Sequence, residues 1–545
     1  MGEASARDVR GATVGRRTLF DDADALALQV PTSCRRTGRC HECIVEVRAG
    51  DEFLEPVTQA ETFLRRPYRL ACQAVVRDRD AQVDFAVIRQ RLRILVPERE
   101  KRVTPIDPVV SVADGIVCYE NRPIEPVRGG IFGLAIDVGT TTVVCELVDL
   151  ASGETVETVA FENPQRFGGS DVINRISYDD GPDRGELRKA MRRGLNFELR
   201  SLYARNGVDR REVYEAVVVG NSTMRDLFFG LDVSSIGQRP YKSSTEIEVL
   251  EGRRKSTALL ETAHRLGLRM HPFGQVWGAP LIASHVGGDI AADLVAVGLD
   301  TSATGAVMLV DVGTNTEVVV AAGGRLVAAS CPAGPAFEGG VVTYGMQAAD
   351  GAVESVRLLE DGSFAVTTID GGQPRGICGS GLIDLLAELR RASRMSARGV
   401  FPDRASELEV VPGAGITFSR ADASALAQAK AANTVGQWIL LRMLGLSPSD
   451  LDRLYLAGGF ANYVNVQNAI EIGFLPPVPT NRVVKVGNAA LRGARELLLS
   501  GSARRRLEKL IAQIEHVELE TTPDFFELFV DGCHFQPIPS ILTAA

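Results

Sequence analysis

The chain has 545 residues, 45% of them apolar and 24% charged, with 54 glycines, few aromatics and a formal net charge of −9. That length exceeds one hydrophobic core and predicts three or four domain-sized units, and the glycine-rich composition suits an α/β protein with tight strand–helix turns. The charge argues against a nucleic-acid binder, which needs clustered Lys and Arg, and no run reaches the roughly 20 apolar residues that span a bilayer.

The N-terminus carries arginines but no following apolar run, and Ala6 breaks the acylation pattern after Gly2, so a cytoplasmic protein without membrane attachment is expected. The basic runs Arg253-Arg254-Lys255 and Arg504-Arg505-Arg506 read as solvated helix ends or loop faces. The first element is a capped helix from Thr18 to Val30, with Leu19, Ala23, Leu26 and Ala27 on one face.

Cys34, Cys40 and Cys43 follow with C-x5-C-x2-C spacing, and Cys72 comes after 28 intervening residues. Three close cysteines and a distant fourth suit the four thiolates of a [2Fe–2S] cluster. Structural zinc usually takes two CxxC knuckles, and only one is present here. Ser33, Thr37 and Gly38 leave room for backbone N–H groups to turn toward sulfide. Arg35, Arg36 and His41 stand where such loops often carry glycine; their charge either raises the cluster potential or marks a docking face for an acidic donor. Cys43–Val47 alternates like a strand and Leu70–Val75 begins another segment, so residues 1–91 read as a β-grasp ferredoxin of strand, helix, cysteine loop, strand and late cysteine. The five scattered cysteines read as buried thiols. Prolines 97, 105, 108, 123 and 126 punctuate residues 92–128, which read as a semi-rigid linker or small docking element.

An internal repeat follows. Leu134 to Val144 contains Asp137-Val138-Gly139-Thr140-Thr141-Thr142, and Leu309 to Val318 contains Asp311-Val312-Gly313-Thr314-Asn315-Thr316. In each, glycine lets backbone N–H groups approach an anion and the Thr hydroxyls add donors. The aspartate at each strand end suits a hydrated Mg²⁺, which takes one or two carboxylates. Glu317 and Asp289 are candidates for orienting the attacking water, although Asp289 could equally be a helix cap. Gly458-Gly459, at the end of a buried strand, would let the backbone lie flat against a nucleoside. Gly379 and Ser380 open an apolar-periodic helix whose amides face either an anion or a neighbouring element. Asn163-Pro164 needs no role beyond starting a turn, and Gly185–Arg205 reads as a core-facing helix with a basic outer face.

These motifs in this order resemble the ATPase superfamily of acetate and sugar kinases, heat-shock ATPases and actin. With the ferredoxin ahead of them, the chain resembles the reductive activators of corrinoid-dependent methyltransferase systems. Stretches such as Asn163 to Gly168, Val219 to Met224, Ala333 to Gly339 and Gly487 to Ala490 are similar to that family. The resemblance implies two ribonuclease-H-like α/β lobes, residues 129–300 and 301–545, with ATP and Mg²⁺ in the cleft. It implies reduction of an inactive Co(II) corrinoid protein to Co(I), an external low-potential electron donor, and an assembly that is often a homodimer. Nucleotide binding would gate the transfer. Other expectations stay open: an ATP-driven activator of a radical or dehydratase enzyme, or a nucleotide-binding redox sensor. Ala461 stands where glycine is frequent after Gly-Gly-Phe and would reshape the adenosine edge.

Overall fold

The computed structural model describes residues 17–78, 80–88, 105–402, 405–459 and 461–538. Helix α1 (Leu19–Ala25) starts at a capping box between Thr18 and Asp21 and buries Leu19, Phe20 and Ala23. It stops short of the expected Val30 because Ala27 takes a left-handed φ of 57°, and Leu26 is left exposed. Strand β1 (Ile44–Ala49) lies between β2 (Tyr68–Leu70) and β3 (Asp84–Val87) in an antiparallel sheet. The strand expected before α1 lies outside the described residues, as does the first part of the expected linker.

Residues 105–128 are not a linker. They form an antiparallel meander of β4 (Val110–Ala113), β5 (Ile116–Tyr119) and β6 (Arg122–Pro126). Val110 and Val117 are fully buried in the core of the next domain, and Asp107 is held by Ser500 and Ser502 near the far end of the chain. Pro123 and Pro126 sit on the edge strand, where a missing N–H costs least.

Two six-stranded sheets follow. The first contains β7 (Phe132–Val138), β8 (Thr142–Asp149), β9 (Thr155–Glu162), β10 (Val213–Val219), β11 (Leu259–Thr262) and β12 (Gln275–Gly278), in the order β11-β12-β10-β7-β8-β9. The second contains β13 (Ala306–Val312), β14 (Thr316–Ala322) and β15 (Arg325–Cys331). Strands β16 (Ala352–Leu358), β17 (Phe364–Thr368), β18 (Gly376–Ile377), β19 (Glu407–Val411) and β20 (Ile416–Ser419) form two small accessory sheets. The second sheet is completed by β21 (Leu451–Ala457), β22 (Val483–Gly487) and β23 (Ile514–His516), in the order β22-β21-β13-β14-β15-β23. In both lobes an antiparallel three-strand meander continues into parallel strands, β10 and β12 or β21 and β22, as a ribonuclease-H-like lobe requires.

Helices cover the outer faces. On the first lobe these are α2 (Val172–Asp179), α3 (Glu186–Asn206) and α4 (Ser222–Phe229). Between the two sheets lies α5 (Gly288–Val297). On the second lobe are α6 (Gly379–Arg391) and α7 (Arg420–Met443), and α8 (Ala489–Leu499) and α9 (Gly501–Ile511) follow. Although α8 comes late in the chain, its Ala494, Leu497 and Leu498 pack against the first sheet, beside Ala135 and Val217. Helix α5 faces both ways: Ala291 and Ala292 join that core, while Ile290 and Leu294 pack under Leu309 and Val319 of the second sheet. The two helices cross at Gly493, where a Cβ would lie 2.0 Å from the Ala292 carbonyl oxygen. Arg504, expected on a solvated face, is buried on α9; it donates to Glu215 of β10 at 2.7 Å and stacks over Trp277. Arg253 and Arg254 pair with Glu251 and Glu248 at the surface.

Candidate functional site

The four expected cysteines are brought together. Cys43 and Cys72 lie at the ends of β1 and β2, with their sulfurs 3.3 Å apart. Cys40 and Cys34 close the group from the preceding loop, where Cys40 donates to Cys34. Arg35, Arg36 and His41 have φ of 55°, 65° and 52°, so the loop is left-handed at the positions where glycine was missing. Each such residue costs about 1–3 kcal/mol and persists only where its surroundings over-determine it. The reward is donors turned toward sulfur. Burial raises the Cys34 thiol, but the Thr37 hydroxyl and Cys40 bring it down to about 6. Cys43, then opposing burial, then Gln73 and the Gly38 N–H set Cys72 at about 7. A Cβ on Gly38 would lie 2.9 Å from Gln73, so the loop is closed to anything larger.

Arg36 is not free to dock a donor. It pairs with Asp21 and Asp24 of α1 and stacks over Phe20 at 4.0 Å. His41 pairs with Glu186 at the start of α3 at 3.1 Å, so the cysteine loop is seated on the first ATPase-type lobe.

In the cleft, the two repeated loops are hairpin turns at matching strand ends. Asp137 and Asp311 end β7 and β13, and Asp289 and Asp293 reach toward them from α5, four residues apart on one helix face. Burial, then the nearby Asp311 and Asp137, push Asp289 up to about 7. Asp137 reaches about 7 through burial, against a 2.8 Å bond from Asn488, and Asp311 reaches about 6. Glu317, directly opposite Asp311 on β14, is pushed well above the carboxylate range by burial and by Asp289 and Asp311. Among the described residues no three His, Cys, Asp or Glu converge on a single metal ion. Neither expected group demands it: a two-iron cluster shares four thiolates, and Mg²⁺ takes one or two carboxylates and keeps several waters.

The threonines are held in readiness. Asn221 donates to Thr140 at 2.9 Å, and Asn163 grips the first turn by donating its side chain to the Gly139 carbonyl and its backbone N–H to the Thr141 carbonyl, both at 2.8 Å. Glu338 accepts from Thr141 of one lobe and Thr314 of the other, at 3.3 and 2.5 Å. It therefore bridges the two loops. The Thr316 hydroxyl is buried without a protein donor or acceptor, and the buried Asp293 carboxyl faces Asp311. Gly458, at φ 113°, presses against the Val312 carbonyl, where a Cβ would lie at 2.1 Å, while the space beside Gly459 is open. An anion with hydroxyl-seeking oxygens and a flat nucleoside fit this arrangement. Phe460 lies outside the described residues. Gly379 and Ser380 are not drawn into the carboxylate group: the Ser380 hydroxyl donates to the Glu354 carbonyl at 2.8 Å, joining α6 to β16.

Comparison with known proteins agrees with both halves. A model for a 2Fe-2S iron-sulfur cluster binding domain matches residues 10–77. Models for the RACo middle region and for the C-terminal domain of RACo, the ASKHA domain, match 132–302 and 305–540. The corrinoid activation enzyme RamQ of Eubacterium limosum is 31% identical over 96% of this chain and 97% of its own. The chain belongs to the RACo family. A solved structure described as a reductive activator for corrinoid, iron-sulfur protein has 30% identity, covers 98% of both chains and has a TM-score of 0.70. The [Co(II) methylated amine-specific corrinoid protein] reductase of Methanosarcina barkeri is 22% identical over 73% of this chain and 76% of its own. The RACo-type chain thus carries a [2Fe–2S]-binding domain and an ASKHA domain. No helix among its described residues is long and apolar enough to cross a membrane.

Four site residues received no role in the sequence reading: Glu338 and Asn488 lie within family-like stretches, and Asp293 and Arg175 were not singled out. Asp293 had a signal, the four-residue spacing from Asp289 on an apolar helix. Arg175 is fully buried on α2, donates to the Gly169 carbonyl and the Met224 sulfur, and leaves one guanidinium nitrogen unpartnered.

Proposed function

We propose that this chain is an ATP-dependent reductive activator that passes one low-potential electron from its [2Fe–2S] centre to a Co(II) corrinoid protein, giving Co(I). An external donor of lower potential then restores the reduced centre. The carrying observation is the joining, within one chain of this family, of a gathered four-thiol loop to a cleft with two facing phosphate-type loops. Supporting it are its relatives' printed activities, corrinoid activation and corrinoid protein reduction.

The cluster, when bound, supplies a one-electron couple near roughly −400 mV, and Cys34, Cys40, Cys43 and Cys72 would hold it. Each ~59 mV by which the cobalt couple lies lower costs tenfold in the equilibrium, so the transfer gains from a second free-energy source. The ATPase half would provide it. Gly139 would present a backbone donor to phosphate oxygens, the Gly313 N–H closes its own turn on the Asn315 carbonyl at 3.0 Å, and Thr140, Thr141, Thr142, Thr314, Asn315 and Thr316 would add side-chain donors. Asp137 and Asp311 would hold Mg²⁺ through its waters, which would offset the burial that keeps their protons on. Glu317, or Asp289, orients the attacking water. A phosphate entering between the loops competes with Glu338 for Thr141 and Thr314, so nucleotide binding reworks a contact that spans the lobes. A ligand shifts such an equilibrium only through this differential contact.

The test is anaerobic. Protein with its cluster reduced is mixed with a cob(II)alamin-loaded corrinoid protein, and the visible spectrum is followed with and without Mg-ATP. Co(I) absorption that grows only with Mg-ATP is expected. Full, repeated reduction by an Asp311→Asn variant that no longer hydrolyses ATP would overturn the reading.

A further inference from the structure

The segment Asn163-Pro164-Gln165-Arg166-Phe167-Gly168 is a short 3-10 helix whose two ends touch different machines. At its start, Asn163 holds the first phosphate turn through the Gly139 and Thr141 carbonyls. Asn163 is fully buried, and its side-chain oxygen also caps the helix through the Gln165 N–H, so turn and helix share one anchor. Three residues on, the segment meets the iron–sulfur domain. Arg166 lies 3.2 Å from Glu162 and 3.6 Å from Glu46 of β1, and it also bonds Tyr68 of β2. The Phe167 ring stands edge-on to Phe63 at 5.7 Å, and Phe63 stacks flat on His41 at 4.2 Å. His41 directly follows Cys40. Tyr178 of α2 backs the contact, packing on Phe167 and donating its hydroxyl to the Phe63 carbonyl at 2.6 Å.

From phosphate turn to cysteine loop there is therefore a continuous series of contacting groups. We propose that Asn163–Gly168 is the mechanical link through which the occupant of the nucleotide cleft repositions the iron–sulfur domain, with Asn163 reading the phosphate turn and Arg166 and Phe167 moving Phe63 and His41 beside Cys40. The inference rests on the proposed binding of nucleotide at these loops and adds the residues that carry its effect. A displacement of the turn by an arriving phosphate pulls on two 2.8 Å bonds at once, and a close-packed interior transmits such a shift better than it absorbs it. Arg166 and Phe167 are positioning residues: neither touches the phosphate turn or a cysteine.

The experiment uses the full chain with its cluster in place. Hydrogen exchange of peptides covering 41–47 and 60–70 is compared with and without a non-hydrolysable Mg-ATP analogue, whose affinity is measured on the same samples by calorimetry. In the parent protein the analogue is expected to change exchange in those peptides by about threefold or more. Arg166→Met and Phe167→Leu are expected to bind the analogue within about twofold of the parent yet lose most of that change. Tyr178→Phe, which keeps the ring and removes one hydrogen bond, should reduce the response without abolishing it, and it remains informative where Phe167→Leu fails to fold. A response that survives intact in Arg166→Met and Tyr178→Phe overturns the link, as does a parent that binds the analogue with no change in these peptides. A parent that does not bind the analogue defeats the nucleotide-cleft reading itself, and this inference with it.

Discussion

The two lobes of the ATPase half are copies that have diverged at the place where they face each other. In the first, Gly220 fits against the Val138 carbonyl; in the second, Gly458 fits against the Val312 carbonyl, so both phosphate turns rest on a glycine from the neighbouring parallel strand. The hairpins above those glycines differ. On the first lobe Val138 pairs with Val143 and Asp137 with Val144, whereas on the second Val312 pairs with Thr316 and Asp311 with Glu317. The second turn is one residue tighter. Because side chains alternate across a strand, that single step brings an acid opposite Asp311 where the first lobe places a valine opposite Asp137. The lobes thus share a turn scaffold but not its side chains: the second places two acids opposite each other, and the first holds Asp137 under the Asn488 amide.

The comparison breaks most easily at the paired aspartates. Asp311→Asn is expected to lower ATP turnover by about 10²–10³-fold, the usual cost of removing a preorganised electrostatic group, and Asp137→Asn by roughly tenfold. Steady-state hydrolysis assays decide it, and equal losses would mean the lobes are chemically equivalent. Glu317→Gln should cost about 10²-fold in turnover with Mg-ATP affinity retained, as expected for a group that orients water and not for one that binds phosphate. Single-turnover assays with a parallel binding measurement separate the two roles.

The glycine supports give a smaller effect, on stability. A methyl on Gly458 would lie 2.1 Å from a carbonyl oxygen, against 2.7 Å at Gly220, and both residues have positive φ. Gly458→Ala should cost about 3 kcal/mol in urea unfolding and Gly220→Ala about 1–2 kcal/mol. The smallest effect is on pH dependence. Folded Asp137 and Asp289 near 7 and Asp311 near 6 keep protons that the unfolded chain releases near pH 4. Their stabilisation is therefore fully present below about pH 4 and is lost as pH rises through 6 to 7. Mg²⁺ held as proposed would take the place of those protons, so it should raise Tm by a few degrees more at about pH 8 than at about pH 5.5. Asp311→Asn should shrink that difference in differential scanning calorimetry.

Features set by nearby residues were legible in the sequence. Cysteine spacing announced the cluster loop, and the repeated Asp-Val-Gly-Thr announced both turns, because each is a local backbone solution for approaching an anion. What the sequence hid was set by distance or by a register. Glu338 acquires meaning only when Thr141, nearly two hundred residues earlier, arrives beside it. Helix α8 reads as second-lobe material until its apolar face is seen under the first sheet. Arg504 looked like one of three solvated arginines, and only Glu215 on a distant strand explains its burial. Prolines around residue 120 suggested a linker because composition carries no record of a sheet edge that tolerates them.

The crossing of α5 and α8 at Gly493 has a consequence for how this molecule can move. Two rods that touch backbone to backbone, with no side chain between them, can swivel but can hardly slide. Their leading ends carry Asp289, three residues from the crossing, and Asn488, five residues from it. At 1.5 Å per residue these are lever arms of about 5 and 7 Å, so a turn of about 10° at the pivot shifts those two groups by roughly 1 Å. One ångström is the difference between holding and releasing a hydrogen bond, so the cleft can be unlatched by a rotation too small to disturb either sheet.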